Sequence, residues 1–332
     1  MAKTGFTTNS AETVKLWNEK LFRDSVKESY FSRFMGSGSD SIVQVKTDLE
    51  SGSGDRVRFG IRMRLEGAGV VEGQTLEGNE ESLTTHTTNL TLKQWRHAVR
   101  DDGAMSRQRS MFSISQESEM ALKDRVTEKI DQECFDAYNA STPSKIIYGG
   151  TATSDATLTT SMLLTPALIS EMKAGAVTGY NRSQTPLRPV MIGGKRHYVL
   201  LIHPDCSYDL KNNTTWQTAQ QNANIRGNSN PIFNGALGIW DNVIVHEHEN
   251  VPISKTYGSG ANVPGANCLF LGAQSLLWAW GKRPTTVMKK FDFENECAYA
   301  TGMIYDVAKP VFNSLDYGSA SLHVARTSIS DA

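Results

Sequence analysis

From Asp55 to Leu65 the chain alternates strictly. Arg56, Arg58, Arg62 and Arg64 share one side of a two-residue period, and Val57, Phe59, Ile61, Met63 and Leu65 share the other. Period two predicts a strand with one wet face and one dry face. A second run, SLTTHTTNLTLKQW from Ser82 to Trp95, is rich in threonine and also reads as a strand. Between them lies LEGAGVVEGQTLEGNEESL, Leu65 to Leu83, dense in glycine and glutamate and with little of its own to bury. An isolated two-stranded ribbon is marginal in water. Strand, long tip and strand therefore predict an arm that is stable only when it lies on another surface.

The period then changes. Met111, Ile114, Ala121, Leu122, Val126, Ile130, Cys134 and Ala137 recur at three- and four-residue spacing, which predicts one long helix over Ser106 to Asn139. Unbroken, it would run for ~45 Å. Its other face carries Glu128, Asp131 and Glu133 beside Arg125 and Lys129, where solvated i, i+4 pairing is the ordinary reading. A second helix is expected in TPALISEMKAGAV, with Thr165 as cap and Pro166 in the first helical position. Ahead of the alternating strand, a helix is expected from Ser10, with Val14, Trp17 and Leu21 at helical spacing, until GSGSDS at Gly36–Ser41 breaks it. So short a helix must dock to bury its apolar face.

The second half interleaves strands and helices without a regular βαβ rhythm. KRHYVLLIHP reads as a buried strand and PDCSYDLKNN as a turn into a helix. LGIWDNVIVHEHENV, CLFLGAQSLLWAWG and FENECAYATGMIYDVAKPVF read as further strands. The fold class is α+β.

Composition narrows the classes. With 332 residues, 39% hydrophobic and 21% charged, the chain can build substantial cores, and length alone suggests two packed units. A formal net charge of -1 argues against a protein that grips nucleic acid by neutralising phosphates. The opening stretch has no apolar segment of a secretory signal, and no run of about 18 apolar residues could span a membrane. Cys134, Cys206, Cys268 and Cys297 are widely spaced and form no CxxC, so free buried thiols are expected.

Candidate chemistry is sparse. In His246-Glu247-His248-Glu249 the two histidines fall on one side of a strand. A zinc ion would need a third ligand that no spacing supplies, so a polar strand end facing water is the expectation, and a metal-dependent hydrolase using His246 and His248 is the minor alternative. MIGGKRHY lacks the frame of a phosphate-cradling loop, since Lys195 is followed by Arg196, and reads as a turn. No nucleophile elbow occurs. No catalytic residue, metal ligand or cofactor is assigned. The arginine row has two readings: a solvated face, or a basic stripe that meets carboxylates such as Glu66, Glu72, Glu77, Glu80 and Glu81, on its own arm or across copies.

Two groups of segments carry a resemblance. GAGVVEGQTLEGNEESL, then QWRHAVRDDGAMSRQRS, then a long amphipathic helix, resembles the major capsid proteins of tailed bacteriophages, in particular the podophage N-four-like coat family. GIWDNVIVHEHENVP, CLFLGAQSLLWAWG and FDFENECAYATGMIYDVAKPVF are similar to the same family. The resemblance implies the Hong Kong-type coat fold: an N-terminal arm over residues 1–45, with Trp17 and Phe22, and an extended two-stranded loop over 46–100. A peripheral domain with a spine helix would follow over 101–190, an axial domain over 191–290, and a return to the peripheral domain with the C-terminal tail over 291–332. It implies a structural protein that assembles as hexamers and pentamers around double-stranded DNA, held only weakly. Portal, scaffolding or decoration proteins would be further partners. The place would be the virion capsid, assembled in the host bacterial cytoplasm. A cellular nanocompartment shell of the same fold is the alternative. In either shell the extended loop would supply the inter-subunit contact through Arg56, Arg58, Arg62, Arg64, Gly67, Gly69, Glu72, Gly73, Glu77, Gly78, Glu80 and Glu81. The four glycines would let the ribbon bend along a neighbour.

Overall fold

The computed structural model describes residues 29–50, 54–62, 65, 67, 69–110, 113–141, 143–179, 185–192, 194–221 and 237–329. The helix expected from Ser10, with Trp17 and Phe22, lies outside them, as do Arg64 and Glu66.

In chain order the first strands are β1 (Met35–Gly36), β2 (Val43–Lys46), β3 (Arg56–Arg62), β4 (Thr85–Thr91) and β5 (Lys93–Arg100). Helices α1 (Ala104–Arg109) and α2 (Ile114–Asn139) follow, then β6 (Ile146–Tyr148) and α3 (Pro166–Thr178). Next come β7 (Val190–Ile192), β8 (Lys195–Ile202), α4 (Pro204–Asn212) and α5 (Thr214–Gln221). The chain continues through β9 (Gly238–Trp240), β10 (Val243–Glu247), β11 (Ile253–Tyr257) and β12 (Val263–Leu271). It closes with β13 (Leu276–Phe291), β14 (Glu296–Ala308), β15 (Val311–Phe312), β16 (Leu315–Asp316) and β17 (Ser319–Ala325).

Two large sheets organise the fold. One is five-stranded, β1-β2-β13-β14-β5, and the other runs β6-β17-β12-β8-β10-β9, with β7 beside β8 and β11 beside β12. The second sheet is covered on both faces, which explains the unbroken apolar run in KRHYVLLIHP. Tyr198, Leu200 and Ile202 of β8 pack with α3 and α4 through Leu168, Ile169, Met172, Cys206 and Leu210. Val199 and Leu201 point the other way, into a core shared with α2 and with Trp278, Trp280 and Tyr305 of the five-stranded sheet. Trp278 and Tyr305 stack there, their ring centroids 5.3 Å apart.

The long helix departs from its expected limits. Ser110 has extended backbone (φ -73°, ψ 134°), and Ser113 is the extended N-cap residue of α2, so the segment splits into α1 and α2. Serines favour such helix ends. At 26 residues α2 spans about 39 Å. Leu122, Val126, Ile130, Cys134 and Ala137 are buried as the period requires, but Ala121 is exposed, one position off the packed stripe. Asp131, expected in solvent, is buried. Its carboxylate accepts from Ser29 Oγ at 2.6 Å, Tyr30 N at 2.9 Å and Phe31 N at 3.1 Å. Glu133 does pair with Lys129, at 2.6 Å.

The other sequence signals survive in altered detail. Pro166 opens α3 and Thr165 occupies the cap position, but its side chain makes no cap hydrogen bond. MIGGKRHY turns at Gly194, at φ +78°, between the paired strands β7 and β8 that take up the residues on either side. The cysteines are free, and Cys134, Cys206 and Cys268 are buried.

Candidate functional site

β3 and β4 pair antiparallel in full register from Arg56↔Thr91 to Arg62↔Thr85. The dry face of this ribbon is anchored at its base. Val57, Phe59 and Leu90 pack with Leu277 and Ala279 of β13. Thr88 Oγ1 donates to the Val311 carbonyl at 2.8 Å, and Thr91 N–H donates to Asp306 Oδ2 at 3.0 Å. On the wet face Arg56, Arg58 and Arg62 are all exposed. Arg58 Nε donates to Asn89 Oδ1 at 3.2 Å. Among the described residues none of these three arginines forms an ion pair, which leaves a basic stripe open to solvent.

Beyond the ribbon the tip stands clear. Every residue from Val71 to Thr85 is exposed. The tip is less bare than its sequence suggests: Leu65, Val71, Leu76 and Leu83 are 56%, 69%, 62% and 57% exposed. Its hydrogen bonds Gly67 N–Glu81 Oε2, Val71 N–Gln74 Oε1, Gly78 N–Glu80 Oε2 and Asn79 Nδ2–Thr75 O all begin and end in the tip. Two turns shape it, closed by Gln74 N to Val71 O and by Asn79 N to Leu76 O. The third residue of each is a glycine at positive φ, Gly73 at +90° and Gly78 at +87°, as type II turns require. Gly69 is also left-handed, at φ +70°. Gly67 differs: its role is a close approach, because a Cβ there would sit 2.7 Å from Glu81 Oε2.

A model of the family described as phage capsid protein matches residues 5–152 and 136–324. The chain belongs to the phage capsid protein family. A major capsid protein of Pseudomonas phage KPP25 is 29% identical across 96% of both chains. The capsid protein of Ralstonia phage GP4 superposes with a TM-score of 0.82 at 27% identity, covering 99% of this chain and 96% of that one. The holo-SrpI encapsulin of Synechococcus elongatus PCC 7942 has a TM-score of 0.52 at 11% identity, covering 97% and 91%, and shares the fold alone. The architecture is therefore the Hong Kong-type coat fold, and the chain is a structural component of a phage virion, a major capsid protein that associates with itself in a shell.

In this capsid protein the His246 to Glu249 segment meets water only through Glu247 and Glu249, which are exposed, and not through its histidines. His246 is buried and His248 half-buried. The His248 ring lies 4.4 Å from that of Tyr30 and 4.8 Å from that of Phe135, and His246 lies 5.6 Å from Phe34. Among the described residues no group of three or more His, Cys, Asp and Glu side chains could hold a metal ion. The histidines instead wall an aromatic box that receives residues 29–34, whose backbone Asp131 fixes. Sequence reading missed this dock. Its signal was an aspartate beside the apolar stripe of α2, one turn before Phe135.

Burial holds the His248 pKa below the ordinary imidazole value, against the opposing pull of Asp131 and Glu249, while Arg33 adds to the lowering. With the folded pKa depressed, the unfolded chain takes up the proton first. Stability from this dock is complete above about pH 6.5 and is lost as the pH falls through the lower folded value. The hydrogen-exchange protection factors of residues 30–35, corrected for the slower intrinsic exchange in acid, should fall on acidification below about pH 6, and the His248→Gln variant should show a flatter response. Equal pH dependence in both would assign the effect elsewhere.

Proposed function

We propose that this capsid protein builds an icosahedral shell by laying the β3–β4 arm over the next copy. The observation that carries the reading is the continuous exposure of residues 71–85, combined with apolar side chains that stay more than half exposed on their own subunit. Exposed apolar residues that lie together are a mark of contact surfaces. The arginines of the wet face (Arg56, Arg58, Arg62, with Arg64 beyond the described residues) and the acidic tip (Glu72, Glu77, Glu80, Glu81) are of opposite sign and set register between copies. Gly67, Gly69, Gly73 and Gly78 shape the tip for this contact. Residues 1–45, with Trp17 and Phe22, act as an N-terminal arm. The hydrogen bond from Leu92 N to Asp55 O marks the foot of the extended loop, and β5 beyond it joins the five-stranded sheet.

Copies assemble as hexamers and pentamers in the host bacterial cytoplasm, with portal, scaffolding and decoration proteins as further partners. The role is structural and non-catalytic. A near-neutral chain suits a wall around double-stranded DNA that must later leave. Electron micrographs of particles purified from infected cells, with analysis of their content, test this. Uniform closed shells of this chain around genome-length DNA are expected. Closed shells packed with one protein cargo would favour a nanocompartment, and the absence of closed shells would overturn the proposal.

A further inference from the structure

The turn between β13 and β14 carries the most exposed large apolar side chain described in the protein. Phe293 is 105% exposed. It sits in a run of three left-handed residues, Asp292 at φ 47°, Phe293 at 49° and Glu294 at 70°, none of them glycine. Such a run is costly for L-residues and persists only where the surroundings impose it.

The surroundings here do impose it. Asn295 N–H donates to the Asp292 carbonyl at 2.9 Å. Asn295 Oδ1 accepts from Ala104 N at 3.1 Å, and its carbonyl accepts from Arg107 at 3.0 Å. Arg107 is gripped at 2.5 Å by Asp101, whose side chain is 1% exposed and which also accepts from Cys297 N at 2.7 Å. A buried carboxylate, an arginine and an asparagine thus brace the turn from α1 and the end of β5. The fold invests in holding this backbone and leaves the aromatic ring with nothing to touch.

We infer that Phe293 is an anchor that inserts into a second copy of this chain, at a contact separate from the arm. This rests on the shell-forming role proposed above. Two observations select a copy of the chain as the partner. First, the turn that carries the ring bears both signs of charge: Asp292 and Glu294 flank Phe293 in the chain, Lys290 pairs with Glu294 at 2.9 Å, and Lys289 and Arg100 lie over the nearby Phe291 ring at 4.8 Å and 4.5 Å. A mixed-sign rim around an apolar knob can complement another copy of itself. Second, the arm is rooted at the far end of the same strand, by Leu277 and Ala279. β13 has 16 residues, about 50 Å at ~3.3 Å per residue, so the anchor stands well apart from the arm's root.

Phe293→Ser is the test, because the ring contributes no packing to its own subunit. The variant should fold with an unchanged circular dichroism spectrum and thermal midpoint. It should still form the small oligomers joined by the arm, but need at least about tenfold more protein to close shells, since burial of a phenylalanine at each contact is lost. Phe293→Leu should recover most of the closure. Shells that close at the wild-type concentration with Phe293→Ser overturn the inference. Loss of the small oligomers themselves also overturns it, since the ring would then belong to the arm's own contact. Failure of the arm reading shows differently: wild-type shells would survive shortening of the tip while still depending on Phe293.

Discussion

Replacing residues 67–80 with a short turn leaves a soluble, folded subunit that does not form shells. The expectation follows from where the tip's contacts end. Four of its hydrogen bonds close within itself, its apolar side chains Val71 and Leu76 stay mostly in solvent, and the foot of the ribbon is anchored independently through Val57, Phe59 and Leu90. Removing the tip takes almost nothing from the subunit's own cores. Between copies it removes a large part of a contact that typically needs about 800 Å² on each partner. Sedimentation and electron microscopy of the purified variant, beside calorimetry of the same sample, separate the two effects. A thermal transition within a few degrees of wild type, with no closed particles, is the outcome expected. Normal shells from the shortened chain would remove the arm from the assembly mechanism.

The largest loss of subunit stability is expected from Asp205→Ala. Asp205 lies in the first turn of α4, and Arg326 follows β17, the last strand; their side chains form an ion pair, 4% and 0% exposed. A turn further along α4, Asp209 accepts from Thr327 Oγ1 at 2.6 Å and from Thr327 N at 3.0 Å, so α4 holds the segment after β17 at two points. Truncating Asp205 strands a guanidinium in a dry site, and breaking such a pair costs about 3–5 kcal/mol. The paired change Asp205→Leu with Arg326→Met should cost clearly less, because no charge is left buried. Denaturant unfolding, in the background of the shortened tip so that assembly adds nothing, gives the numbers. A single-variant loss under about 1 kcal/mol would mean that Arg326 is held by its other neighbours.

The parts of the fold legible in sequence were those with one dominant period. The arginine alternation of β3 gave both the strand and its wet face, and the stripe of α2 gave its packed side. The resemblance carried further, to the coat fold and the shell. What stayed hidden was decided by partners far along the chain. Asp131 reads as one more charge on a charged helix, and only the arrival of Ser29 to Phe31 makes its burial possible. His246 and His248 read as a polar strand end until Tyr30, Phe34 and Phe135 enclose them. The placing of α1 depends on Asp101 and Asn295, which hold Arg107 and Ala104 and which no local period connects. At the site itself, the exposed glycine turns were visible in the spacing of Gly73 and Gly78, whereas Gly67 answers to a carboxylate that folds back from Glu81.

The position of β17 bears on how errors of protein synthesis are contained. That strand is buried at every residue and lies between β6, more than a hundred residues earlier in the chain, and β12. A polypeptide released before β17 lacks the strand that joins β6 to the rest of its larger sheet, since pairing between distant segments must wait until both exist. A truncated chain is therefore expected to leave the partners of β17 uncovered and to be a poor tile beside intact copies.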